Sequence, residues 1–276
     1  MLHIFIHTIL DLLKIVPFLF LAFLIMEILE HKVKKKNNVL KNKKFGPVIG
    51  SLLGVIPQCG FSVMATNLFS SKVITLGTLL AIYLSTSDEM FPLLISNGVS
   101  FKLIISILLI KVIVAIVFGY LIDLLFKKSQ RKDFSICDND NCHCDENLFK
   151  SSIIHTLKIS FFILLTTLVL NILIHYIGED KIASILLKDN FFGPFLASLV
   201  GLIPNCSASI ILTELYLSNV ITTGMLIGGL LTGSGVGLLV LFKTNKNLKE
   251  NLIILLSLYG VGAIIGIIID FLKIVI

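Results

Sequence analysis

Apolar runs long enough to cross a bilayer recur along the chain, at residues 4–29, 73–96, 103–126, 152–177, 220–242 and 252–275. About 20 apolar residues in a helix span roughly 30 Å of hydrocarbon, so each run predicts a membrane helix. Two further apolar segments, 46–70 and 193–217, are interrupted by Gly, Pro and Cys in the strings IPQCG and IPNCS. Proline removes a backbone donor and ends a helix, so each of these segments is expected to break in its middle. Both halves of the chain follow one order: a span, an interrupted segment, then two spans.

That shared order reflects a duplication. A shift of 147 residues lays GPVIGSLLGVIPQCGFS, from Gly46, on GPFLASLVGLIPNCSAS, from Gly193, without a gap, and 19 of the 48 positions from 46 to 93 are identical. Pro57 falls on Pro204, Cys59 on Cys206, Ser62 on Ser209, Gly119 on Gly266 and Asp123 on Asp270. Self-similarity on that scale means two copies of one unit. If the interrupted segment crosses once, each half has an even number of crossings and the halves run parallel. If it dips in and returns, or makes two short crossings, the number is odd and the halves are inverted.

The basic residues favour the odd number. It gathers most of the 23 Lys and Arg residues into loops 31–45, 71–72, 127–150 and 243–250 on one side, and loops rich in Lys and Arg stay cytoplasmic. The repeat-equivalent loops HKVKKKNNVLKNKK and GEDKIASILLKDN differ sharply in basic content, as loops on opposite sides would. The expected fold is an all-α polytopic membrane protein in the cell membrane. Residues 1–126 form a first repeat, 127–150 a cytoplasmic linker and 151–276 an inverted second repeat. Each repeat has about five membrane segments with a broken or re-entrant helix at IPQC or IPNC, and both termini are expected outside.

Composition agrees, with 56% hydrophobic and 14% charged residues and a mean hydropathy of +0.99. That leaves no room for a sizeable extramembrane domain, and the net charge of +6 reads as topology rather than nucleic-acid binding. The opening MLHIFIHTILDLLK lacks the basic start and small-residue cleavage site of a signal peptide and reads as the first helix.

Candidate chemistry lies at the interruptions. Two proline breaks related by a pseudo-twofold axis free backbone groups near the midplane, where inverted-repeat transporters bind substrate, so Gln58, Cys59, Ser62, Asn205, Cys206 and Ser209 are candidate substrate contacts. Sulfur suits soft ions, and the amides and hydroxyls add harder oxygen. The plainer alternative is a paired kink with small residues for close packing. STSDEMFP places Asp88 and Glu89 inside an apolar span, at a cost of about 2.5 to 3.5 kcal/mol per buried charge. They are expected to bind a cation or carry protons, with Glu214 as a candidate third acid, while an ion pair with mid-span Lys111 is the structural alternative. The equivalent string in the second half, LTGSGVGLL, has small residues instead, so the site is asymmetric. In the linker, CDNDNCHCDE groups Cys137, Cys142, His143 and Cys144 among acids as a candidate metal-capture site, against the alternative of an acidic, solvated linker. His7 and His155 read as interfacial, and Asp11 can pair with Lys14 along one helix face.

The duplicated GPxxxSLxGxIPxC motif, the STSDE acids and the Cys/His-bearing linker together resemble the ten-helix heavy-metal exporter family, also labelled arsenic efflux proteins or manganese transporters. The resemblance covers nearly the whole chain. It implies ten membrane segments and export from the cytoplasm, and it carries over to Pro57, Gln58, Cys59, Asp88, Glu89, Pro204, Asn205 and Cys206. The expected function is secondary export of a heavy-metal or metalloid ion of the Mn, Zn, Cd or arsenite class. Proton exchange is the expected coupling, because no nucleotide-binding motif is present. No tightly bound cofactor is expected beyond the transported ion. The partners expected are the bilayer and that ion, with no nucleic acid, and homo-oligomers are compatible with the chain. A permease for a small sulfur- or arsenic-containing organic anion is the alternative. An intramembrane protease lacks a GxGD partner, HExxH or GxSxG, and a metal sensor rests on the linker alone.

Overall fold

The computed structural model describes residues 45–56, 59–71, 73–87, 90–126 and 192–273, with scattered positions between 16 and 24 and between 153 and 172. Of Cys59, Gly60, Pro92 and Cys206 only the backbone is described. Most of the first span, the loops at 31–44, 127–150 and 178–191, and Pro57, Gln58, Asp88 and Glu89 lie outside the described residues, with the expectations placed on them.

Among the described residues every regular element is a helix. The first half holds α1 (Gly46–Gly54), α2 (Cys59–Ser70), α3 (Leu76–Ser85), α4 (Met90–Ser96) and α5 (Phe101–Leu125). The second holds α6 (Gly193–Gly201), α7 (Cys206–Leu217), α8 (Thr223–Thr232), α9 (Gly237–Thr244) and α10 (Leu248–Phe271). The stretches Phe101–Leu125, Thr223–Thr244 and Leu248–Phe271 are long and apolar enough to cross a membrane.

Local chemistry sets these boundaries. Pro47 and Pro194 occupy the first turns of α1 and α6, where a missing N–H costs nothing. Both helices then stop ahead of the IPQ and IPN strings. Two runs read as continuous spans, 73–96 and 220–242, are each two helices. At the first break Thr86 leaves the helical region with ψ 129°, and Ser85 and Thr86 turn their hydroxyls onto carbonyls one turn back. Such back-bonding competes with the helix ladder. At the second, Gly235 takes a positive φ of 55°, which glycine adopts without strain.

The two halves repeat their packing as well as their order. Thr75 caps α3 by accepting from the Thr78 N–H at 3.1 Å and donates to Asp123 Oδ2 at 2.7 Å, while Gly77 N donates to Asp123 Oδ1 at 2.8 Å. In the second half Thr222 accepts from Met225 N at 3.2 Å and donates to Asp270 at 2.6 Å, and Gly224 N donates to Asp270 at 2.8 Å. A carboxylate at a helix N-terminus meets the positive end of the dipole and satisfies orphan donors. Asp123 and Asp270, paired by the repeat, therefore pin the end of α5 to the start of α3 and the end of α10 to the start of α8. A Cβ on Gly77 would stand 2.1 Å from the Gly119 carbonyl oxygen, and one on Gly224 2.2 Å from that of Gly266. Only glycine allows both approaches.

Helix directions follow from the same close contacts. Gly46 faces Thr78, Gly50 faces Ile82 and Gly54 faces Ser85, so α1 runs parallel to α3. Residues 71–75 link the end of α2 to the start of α3, so the chain leaves and returns to one end of α3. Gly193 facing Met225 and Gly201 facing Thr232 give the same course against α8. Across the halves, α2 packs on α9 and its counterpart α7 packs on α4.

Candidate functional site

Three helix breaks draw together at the junction of the halves. Ser87 Oγ, in the α3–α4 break, donates to the Val55 carbonyl at 2.8 Å, tying that break to the one after α1. Ser62 in α2 is fully buried and packs on the start of α9, where a Cβ on Gly237 would stand 2.8 Å from the Ser62 Cβ. Ser209 in α7 lies at the other end of the same break, its Oγ 3.3 Å from where a Cβ on Gly233 would stand. The structure thus brings Ser62 and Ser209, the equivalent serines of the two halves, to the two ends of the 233–237 break.

One turn beyond Ser62, Thr66 joins three helices. Its hydroxyl lies 2.5 Å from Tyr83 OH, 2.7 Å from the Ser62 carbonyl and 3.1 Å from the Gly237 carbonyl. Its one proton serves a carbonyl, so Tyr83 donates to it. Further along, Ser70 Oγ lies 2.9 Å from Thr244 Oγ1, closing the α2–α9 contact. Thr66 was not singled out in the sequence, although its identity with Thr213 in the repeat was a usable signal. Thr213 donates to the Ser209 carbonyl at 2.7 Å, as Thr66 does to Ser62.

Lys111 lies in the middle of α5 at 1% exposure. Its ammonium donates to the Thr86 carbonyl, just past the end of α3, and to the Leu230 carbonyl, in the last turn of α8, at 2.8 Å. Helix C-termini carry the negative end of the dipole and favour cations. One lysine thus spans the corresponding ends of the two halves, with carbonyl acceptors on each. The residue 147 positions on is Leu258, also fully buried, so the second half has no such charge.

The other expected contacts fall as follows. Asn205 is buried at the start of α7, Pro204 precedes it half-buried, and Glu214 is exposed on the same helix. Cys59 and Cys206 open α2 and α7 as equivalents, their side chains outside the described residues. Asp88, Glu89, Gln58, Cys137, Cys142, His143 and Cys144 lie outside them too, as do His7, Asp11, Lys14 and His155. Among the described residues no three His, Cys, Asp or Glu side chains come together as a metal site. Among the described residues the buried Ser198 hydroxyl, at the crossing of α6, α8 and α10, meets no hydrogen-bond partner.

Apolar helices interrupted in pairs, with polar and charged groups buried where they meet, define a multi-pass membrane protein of the transporter class. Residues 2–174 match the model of the family described as "Putative, 10TM heavy-metal exporter". That is more than half of the chain, and the protein belongs to this family. No curated protein and no solved structure matches it.

Proposed function

We propose that the protein is a secondary exporter of a heavy-metal or metalloid ion, of the Mn, Zn, Cd or arsenite class, that binds its cargo between two inverted halves and exchanges it for protons. The observation that carries this reading is the convergence on one buried junction of breaks from both halves, with Thr86 and Leu230 reaching one ammonium and Ser62 and Ser209 at one break. Gln58, Cys59, Ser62, Asn205, Cys206 and Ser209 supply sulfur, amide and hydroxyl contacts in this reading. Asp88 and Glu89 supply charge at the junction in this reading, while Glu214 is exposed on α7. The linker residues Cys137, Cys142, His143 and Cys144 capture metal before it enters.

Helix directions support inversion and a re-entrant course. Ser62 meets Gly237 while Ser70 meets Thr244, so α2 and α9 run parallel. Because α2 returns toward the start of α3, it runs against α3, and so does α9. In the first half the matching helix, α4, follows α3. Opposed courses of matching helices fit halves inserted in opposite senses, with loops 31–45 and 127–150 cytoplasmic and 178–192 outside.

The test is reconstitution in liposomes with Mn, Zn, Cd, Co, arsenite and antimonite fluxes at varied pH. Flux of at least one ion that rises with an opposing proton gradient is expected; absence of flux for all of them overturns the reading. The buried ammonium of Lys111 is the observation that favours the organic-anion alternative. Under that alternative Asp88→Asn and Glu89→Gln leave transport intact, whereas metal export requires at least one of the two acids.

A further inference from the structure

We infer that the Lys111 ammonium is a tethered cation that occupies the junction of the two halves while no cargo is bound and withdraws when a cargo cation arrives. The inference rests on the metal-export reading and adds a step to it. Three features of the site carry it. The ammonium is buried, and the groups that hold it include two main-chain carbonyls, those of Thr86 and Leu230, which any cation of suitable size would also find favourable. The two carbonyls belong to different halves, so the lysine bridges the elements that must move apart for one side or the other to open. The fold unit does not need it, because Leu258 fills the equivalent place in α10 within an apolar cluster.

A fixed ammonium and a divalent ion repel each other strongly in a medium of low dielectric, so both cannot hold the junction at once. Lysine has a flexible four-carbon stem on a compact charge, which suits it to swing aside and return. In the empty protein the ammonium offsets the negative charge and dipoles assembled for cargo, letting the unloaded halves rearrange without carrying an uncompensated site through the bilayer. The lysine therefore acts as a built-in competitor: it weakens cargo binding, speeds release and permits the empty return that net export requires. No proton has to leave it for this role.

The experiment uses the full chain in liposomes with Cd2+ and Mn2+ as probes, and compares net efflux with exchange of the same ion across the membrane. In Lys111→Leu, which copies the second half, exchange is expected to persist with a half-saturation concentration about tenfold lower, the size of a typical site-to-site coupling. Net efflux falls at least as far. Lys111→Arg keeps both modes, and millimolar methylammonium restores net efflux to Lys111→Ala. If the Leu variant does not fold, the Arg and Ala variants decide. Parallel loss of exchange and net efflux in a folded variant, or wild-type net efflux in the Leu or Ala variant without added amine, overturns the inference. If the wild-type protein moves neither ion in either mode, the metal-export reading fails, and the inference falls with it.

Discussion

The two halves share a frame and differ in what they put inside it. Each caps its third helix with a threonine and an aspartate from its fifth, and each crosses those helices through a glycine pair. Inside that frame the first half keeps small residues against its α1–α2 pair. Gly50, Ala65 and Thr78 help line an apolar cavity of about 270 Å3 between α1, α2 and α3. At the positions of Ala65 and Thr78 the second half has Leu212 and Met225, both buried, with Met225 closing on Gly193 and Leu212 on Gly229. Charge divides the same way: Asp88, Glu89 and Lys111 in the first half stand against Gly235, Val236 and Leu258 in the second. Duplication supplied a scaffold that positions two breaks, and the two copies differ at the positions just named.

The largest effect is expected from breaking that asymmetry. Neutralising the first half with Asp88→Asn or Glu89→Gln leaves a desolvated cargo cation short of a charged partner, a loss of about 2 to 5 kcal/mol, so metal flux should fall about 100-fold. Vesicle flux at matched expression measures it, and unchanged flux for both variants removes the acids from the path. The shared frame predicts symmetry instead: Gly77→Ala and Gly224→Ala each force a Cβ onto a backbone carbonyl and should cost about 1 to 3 kcal/mol or more. Thermal unfolding in detergent should show similar drops for the two, and a drop in one alone would mean that the halves do not share a frame.

Cys59→Ser and Cys206→Ser come next, each lowering Cd and Zn flux by about tenfold and Mn flux less, because serine keeps the oxygen but loses the soft ligand. Equal loss for all three ions would assign the cysteines to packing. The smallest effect is expected from Ala65→Leu, which copies the second half into the cavity of the first. Three added carbons with room available should shift stability by less than about 1.5 kcal/mol, whereas Leu212→Ala should cost about 2 to 5 kcal/mol. Comparable losses from both in the same unfolding assay would show that the cavity cannot take the side chain.

Much of this was legible in the sequence for a simple reason: proline and glycine act on the backbone wherever they occur, so IPQC and IPNC announce breaks before α2 and α7. Apolar length likewise identifies α5 and α10. The break after Ser85 was hidden because serine and threonine interrupt a helix only when their hydroxyls turn onto carbonyls, which composition does not reveal. Lys111 was visible as a mid-span charge, but two of the groups it donates to are main-chain carbonyls separated from it by 25 and 119 residues, and a sequence does not mark main-chain acceptors. Glu214 reads as a companion to the acid pair from its place in the interrupted segment. Helical geometry turns Thr213 into the interior and leaves Glu214 exposed. Asp123 and Asp270 were paired by the repeat, yet their role as helix caps required the antiparallel packing of α3 on α5 and of α8 on α10.

An exporter with one site between inverted halves requires that matching helices are inserted in opposite senses. Single cysteines at positions 40 and 185, introduced as Leu40→Cys and Ile185→Cys in a chain without its native cysteines, report the sidedness of the two equivalent loops through a membrane-impermeant thiol reagent. Inversion predicts that Ile185→Cys is labelled from outside intact cells while Leu40→Cys is labelled only after permeabilisation. Labelling of both positions from the same side would contradict it.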